Sequence, residues 1–500
     1  MQHPILLLLL CITFYACDST VSKTDNEAEQ LAQIYCTSCH KMPDPAHLDK
    51  ATWEEYVLPR MGYMLGIYPD ATTRYKLIEQ GPGGALVQEA NIFPKEPVLE
   101  TDKWEAIKAY FLSNAPIKLA VEPQATAKPI EQFEIQIPDY QLSPPSTTLV
   151  QIASGEALYL GDAHTKGFYQ FSPQLQLEKA ANLREGIINL IQSPERFYLT
   201  VMGSFSPTDT PGGAIINLPK SQNESVQFLL QNLQRPVHTE LGDLNGDQIM
   251  DILVCEFGKW TGGLSLFIGQ AEGGFEKQWL RQKSGATKAY IRDLNGDRKQ
   301  DIIALFAQGE EAIFIYFNQG DGTFKEVKVL EFEPSFGSSY FNLFDYNGDA
   351  FPDIIYTAGD NADYPPVMKP YHGIHIFEND GSNQFNEVFF YPLNGAYKAI
   401  PEDFDQDGDM DIAAISFFPN FQEEEQGFIY LENQGKNNFT PYTLPENHLG
   451  RWITMDSGDL DGDGDDDLVL GSLAFEVVPK NGLEQTWKEK GIPFIVLWNK

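Results

Sequence analysis

The sequence predicts a multidomain chain: a small all-α domain at the N-terminus, followed by an all-β propeller of seven blades. Three observations carry that prediction. Helical periodicity runs from about Asn26 to Pro116 and then ceases. From residue 131 to Lys500, short β-type runs alternate with Gly, Asn and Asp turns. Within that second part an Asp-rich segment recurs at spacings of 50, 52, 58 and 56 residues. Such a period suits a repeat of about four short strands, and a region of this length holds about seven such repeats.

The composition is that of a folded chain. Of 500 residues, 42% are hydrophobic and 12% aromatic, and the 41 Gly and 32 Pro suit a turn-rich β body. Against 35 basic side chains stand 71 acidic ones, a net charge of −36. That surface repels nucleic acid and anionic lipid headgroups and favours cations or a basic partner protein.

Residues 1–17 read as an export signal of lipoprotein type. The apolar run from Ile5 to Phe14 is too short to span a bilayer, and Ala16 precedes Cys17, the expected site of lipidation. An exported protein anchored at a periplasmic or outer-surface membrane follows. Residues 18–26 form a polar tether. The α domain occupies 27–116, with helical stretches at Glu29–Ile34, Thr52–Leu58 and Ala71–Gln80. A fourth begins at Thr101, a predicted N-cap, and carries Trp104, Ile107 and Phe111 at helical spacing. Residues 117–130 are an extended linker.

The α domain carries Cys36-Thr-Ser-Cys39-His40, the attachment sequence of one covalent c-type haem. Two thiols three residues apart reach the two vinyl groups of one porphyrin, and the next residue offers its imidazole to the iron. A zinc half-site would need two more ligands, and a thioredoxin-like pair would need a βαβ pattern. For the distal ligand Met61 is favoured, in helical register with Trp53 and Val57, although Pro59 weakens that geometry. Met64 is the alternative, and simple packing of both thioethers on the porphyrin remains open.

The propeller region, 131–500, carries five aligned loops with oxygen side chains at positions 1, 3, 5 and 9. They are Asp243, Asn245, Asp247 and Asp251; Asp293, Asn295, Asp297 and Asp301; Asp345, Asn347, Asp349 and Asp353. The last two are Asp403, Asp405, Asp407 and Asp411, and Asp459, Asp461, Asp463 and Asp467. Alternating hard oxygens on a tight loop suit Ca²⁺, up to five ions, each pinning a strand connection. A metal-free Asx-turn hairpin is the competing reading. The loops are not EF-hands, because position 12 is never Glu. The last repeat lacks its closing strand, and Phe133-Glu-Ile-Gln-Ile-Pro is predicted to supply it. Cys255 reads as a buried strand residue.

The five loops resemble the FG-GAP/VCBS-repeat family, with its integrin-type D-x-[DN]-x-[DN]-G-x-x-D blades. The first three loops depart mildly, with Gly at position 4 (Gly246, Gly296, Gly348) rather than position 6. The N-terminal part is similar to class I cytochrome c domains, and the combination resembles bacterial VCBS-repeat lipoproteins with a fused cytochrome. That resemblance implies haem and calcium but no substrate. Three functions compete. The chain is an electron-transfer protein whose propeller docks an unidentified redox partner, more a carrier than a self-contained enzyme. Alternatively it is a haem-linked oxidoreductase with a substrate site in the propeller channel, where His372 and His375 are the visible candidates. Or it is a cell-surface binding or adhesion protein.

Overall fold

The computed structural model describes residues 23–121, 126–221, 224–362, 366–421, 426–445, 447–475 and 482–500. Cys17, the predicted signal peptide and the start of the tether lie outside the described residues. No helix among the described residues is long and apolar enough to cross a membrane.

Helices precede the propeller, as the periodicity requires. The first, Lys23–Cys36, packs against Thr101–Asn114. Trp104, Ile107 and Phe111 form the buried face of the latter, together with Ala32, Leu48, Trp53 and Leu58. Burying this stripe is what holds so small a domain together, at roughly 1.5–3 kcal/mol per large side chain. Thr101 opens its helix from inside; Glu100 occupies the N-cap position and makes no side-chain cap bond.

The stretch expected as one helix over Thr52–Leu58 is three pieces: Lys50–Thr52, a π-turn Trp53–Val57, and Leu58–Met64. Pro59 explains the break, because it has no N–H to donate. The Leu58 N–H instead bonds to the Trp53 carbonyl, five residues back. The expected helix at Ala71–Gln80 shrinks to Thr73–Leu77, and an unforeseen one runs over Pro82–Glu89 with proline at its start.

The strands form seven sheets in sequential order, a seven-bladed β-propeller. Innermost in each blade are Thr147–Ala153, Ile187–Gln192, Pro236–Gly242, Ala286–Arg292, Ser338–Phe344, Ala396–Glu402 and Trp452–Gly458. Second strands such as Asp251–Glu256 and Asp411–Ser416 are buried at every position, because neighbouring strands and blades cover both faces. Cys255 lies in one of them, 1% exposed. The ring closes through Glu134–Gln136, which pairs antiparallel with Phe494–Trp498 as the outer strand of blade 7. Phe133 anchors it against Phe404 and Tyr430, both at 5.6 Å. Part of the linker also adds a strand: Lys128–Pro129 pairs parallel with Tyr442–Thr443 on blade 6. Closure hides edges that would otherwise invite pairing.

Antiparallel order assigns every loop to a face. Connections from first to second strand, which carry the Asp-rich loops, lie on one face. Connections from second to third strand, and from blade to blade, lie on the other. The helical part docks on that other face. Glu79 accepts bonds from Thr208 Oγ1 (2.8 Å), the Asp209 N–H (3.1 Å) and Thr210 Oγ1 (3.0 Å). Phe93 meets Trp260 edge-on at 5.2 Å. Tyr371 donates its hydroxyl proton to the His47 carbonyl at 2.8 Å, and Lys41 pairs with Glu333 at 2.6 Å.

Candidate functional site

Cys36 ends the first helix and Cys39 follows one turn later, its N–H facing the Cys36 carbonyl at 3.5 Å. Cys36 is half-buried against the helical core and Cys39 is exposed; both are free thiols. Burial, with the neighbouring Cys39, pushes the Cys36 thiol up to about 11. The His40 ring uses Nδ1 for a 2.7 Å hydrogen bond to the Lys41 carbonyl. Nε2 makes no hydrogen bond among the described residues. A ring nitrogen fixed by a backbone carbonyl while the other stays free is how a metal-binding histidine is oriented. Burial holds the imidazole below its usual value, opposed in part by the Lys41 carbonyl and the Glu333 carboxylate. A neutral imidazole is the ligating form. The donor set therefore fits a covalent haem.

Met61 and Met64 differ in setting. Met61 packs against the same apolar cluster as Cys36, with Trp53 and Val57, the three-residue register expected of it. Met64, at the end of its short helix, does not join that cluster. Met42 does join it, two residues beyond His40.

In the Asp-rich loops the first carboxylate organises the turn. Asp243 Oδ1 accepts from the N–H groups of Gly246 (2.8 Å) and Asp247 (3.1 Å), and Oδ2 from Gln248 (2.9 Å). The ninth residue, Asp251, is fully buried and accepts from the Leu244 N–H at 2.8 Å and the Gly269 N–H at 2.9 Å. Asp293 and Asp345 repeat this pattern, with Asp301 and Asp353 in the buried place.

Three carboxylates gather within 4.8 Å of one another in the last two loops, Asp403 with Asp405 and Asp407, and Asp459 with Asp461 and Asp467. Asp403 Oδ1 and Asp465 Oδ1 are buried there without a hydrogen-bond partner. Burial, with neighbouring carboxylates, pushes Asp411 and Asp467 up to about 6. Crowded, partly orphaned carboxylate oxygens fit a hard cation. The earlier loops are less anionic, with Asn245, Asn295 and Asn347 at position 3. In one of them the Lys299 ammonium already sits 3.0 Å from Asp297.

His372 and His375, the candidates for a channel site, are not in the channel. His375 lies on Gly373–Asn379, the third strand of its blade, and His372 in the loop before it. Both are buried, and His375 Nδ1 pairs with Glu387 at 2.8 Å. The channel is lined instead by the innermost strands. Five residues before each Asp-rich loop stand His238, Lys288, Tyr340, Lys398 and Thr454. Two residues later come Glu240, Tyr290, Asn342, Ile400 and Asp456. Counting back from the loops would have revealed both sets, since strand side chains alternate with period two.

Residues 243–304, 293–356 and 403–470 match the family of FG-GAP-like repeats. No curated protein matches the chain. Among solved structures, virginiamycin B lyase from Staphylococcus aureus is 10% identical with a TM-score of 0.47, covering 74% of this chain and 100% of its own. A streptogramin B lyase is 12% identical with a TM-score of 0.47, covering 74% and 98%. Sqt1 from Saccharomyces cerevisiae is 7% identical with a TM-score of 0.43, covering 75% and 99%. The second part of this chain is thus a seven-bladed β-propeller carrying FG-GAP-like repeats.

Proposed function

We propose that the protein is an exported c-type haem electron-transfer protein, anchored through a lipid on Cys17, with a calcium-stabilised propeller that docks a redox partner. The observation that carries this reading is the helix end that presents Cys36, Cys39 and a His40 whose Nδ1 is tied to a backbone carbonyl. Packing of the first helix on the last, with Met61 on the same core as Cys36, supports it further.

When bound, a c-type haem supplies one-electron chemistry at its iron. The chain's own residues would do the rest. Cys36 and Cys39 would hold the group covalently, and His40 Nε2 and the Met61 thioether would be its iron ligands. Trp53, Ile107 and Phe111, buried in the core that Cys36 and Met61 pack against, would keep water from the buried side of the group. The exposed Cys39 edge is where a partner would approach, and the acidic surface favours a basic one. Calcium at the Asp-rich loops, held most strongly by those at Asp403 and Asp459, would stiffen the blades.

The test is an oxidised and reduced visible spectrum of the full chain from a host that matures c-type haem. A reduced α-band and a covalent haem stain, both lost in Cys36→Ala/Cys39→Ala, are the expected result. Met61→Ala, but not Met64→Ala, should weaken the thioether charge-transfer band. Wild-type protein without haem would refute the reading.

A further inference from the structure

Where blades 4 and 5 meet, the propeller reaches the segment that follows His40, and it does so with a carboxylate. Glu333 stands in the connection from the outer strand of blade 4, Phe324–Glu331, to the innermost strand of blade 5, Ser338–Phe344. The Phe336 N–H closes a tight turn on the Glu333 carbonyl at 2.9 Å. Neighbours on the propeller fix that turn. Phe332 stacks on Tyr356 at 4.1 Å, Phe336 stacks on Tyr371 at 4.7 Å, and Lys369 Nζ donates to the Ser335 carbonyl at 2.9 Å. The blade therefore aims the Glu333 side chain.

The helical part meets it with charged and titratable groups. Lys41 Nζ pairs with Oε1 at 2.6 Å. His47 Nδ1 lies 3.8 Å from Oε2, and both atoms are buried without a hydrogen-bond partner. His40 is joined through Lys41, whose carbonyl accepts the His40 Nδ1–H at 2.7 Å.

The two ends of the Lys41–Glu333 pair are unequally screened. The ammonium side chain is 42% exposed and the carboxylate side chain 14%. Water damps the field of an exposed charge more than that of a buried one. The pair therefore presents a net negative potential to the interior, where His40 sits. The imidazole responds in that sense: burial holds it below its usual value, and the Lys41 carbonyl and then the Glu333 carboxylate oppose that.

We propose that Glu333 sets the reduction potential of a c-type haem held at Cys36, Cys39 and His40, so that the propeller is part of the redox centre as well as its mount. The inference rests on the haem reading. Oxidised haem iron carries one more positive charge than reduced iron, so a nearby carboxylate favours the oxidised form and lowers the potential, and a nearby ammonium does the reverse. Glu333 is a positioning residue: it acts through the charge and the hold it brings to Lys41 and His40.

The test is a redox titration of the haem-loaded full chain, followed at the reduced α-band. At the solution potential that leaves the wild type half reduced, Glu333→Gln should be richer in the reduced form by about threefold or more, and Lys41→Gln should be poorer in it. Glu333→Asp, which keeps the charge, should stay nearer the wild type than Glu333→Gln. Opposite signs separate a charge effect from loosened docking, because both substitutions break the same ion pair and loosening alone moves both variants the same way. Tryptic cleavage at Lys118 or Lys128 reports that loosening directly. An unchanged potential in Glu333→Gln, or both variants shifted in one direction, overturns the proposal and leaves the haem reading standing. A wild type that carries no haem overturns both.

Discussion

Asp411 is the residue whose loss should damage the propeller most for the fewest atoms removed. It stands at position 9 of the fourth loop, opens the strand Asp411–Ser416, and is fully buried. Its Oδ1 accepts the Asn433 N–H at 2.7 Å and its Oδ2 the Tyr430 hydroxyl at 2.6 Å. Asp411→Ala strands both donors in the blade interior. Each unsatisfied buried donor costs about 1–3 kcal/mol, so the substitution should cost about 2–6 kcal/mol. Asp409→Ala, in the same loop but exposed, should cost about 0.5 kcal/mol or less. The assay is urea unfolding followed by tryptophan fluorescence, in chelator, so that cation binding does not contribute. Trp452 is a suitable reporter, since it shares the core cluster of Tyr430 and Phe404. Asp411→Asn, which keeps one acceptor, should fall between. A loss below about 1 kcal/mol for Asp411→Ala would show that the buried carboxylate is not what ties the second strand to the third.

Docking of the helices should depend on two anchors: Glu79→Ala combined with Tyr371→Phe removes bonds to Thr208, Thr210 and the His47 carbonyl. Faster tryptic cleavage at Lys118 or Lys128 is expected, and unchanged cleavage would place the hold elsewhere. Chelation should lower the thermal transition of the wild type, and Asp403→Ala/Asp459→Ala should shrink that difference more than Asp293→Ala, whose loop already holds Lys299. Burial pulls the Lys288 ammonium down to about 8, opposed in part by the Glu240 and Asp456 carboxylates. Stability in urea should therefore rise between about pH 8 and 10.5, because the unfolded chain there binds more protons, and Lys288→Met should flatten that rise.

Repeats made the propeller legible. Each Asp-rich loop fixes where a first strand ends and a second begins, so five recurrences mark five blades directly. Blades 1 and 2 lack the loop and had to be inferred from length, yet their first two strands keep the same antiparallel pairing, with the register shift at the start of the first strand that the other blades show. The closing strand was visible because Phe133 filled a gap in the repeat. The helical part was less legible, since short helices depend on tertiary packing more than on propensity. Pro59 could be seen to disturb a helix, but not that a π-turn would absorb it. The channel was hidden for another reason: Lys288, Tyr340 and Lys398 lie 52 and 58 residues apart and meet only because blades close into a ring. The two histidines drew attention by sitting together in sequence, yet Gly373–Asn379 is a third strand and cannot reach the axis.

The two faces of the ring bear on what the protein can do. The Cys36–His40 segment lies on the face with the blade-to-blade loops, where Glu333 and Tyr371 hold the chain just after His40. The Asp-rich loops lie on the opposite face, and an aromatic layer of Phe205, Phe475 and Phe417 lies between the helices and the channel. A substrate in the channel would therefore have to pass electrons through that layer to reach a group at Cys36 and Cys39. A partner approaching the exposed Cys39 edge would not. This separation favours electron transfer to an outside partner over oxidation of a channel substrate.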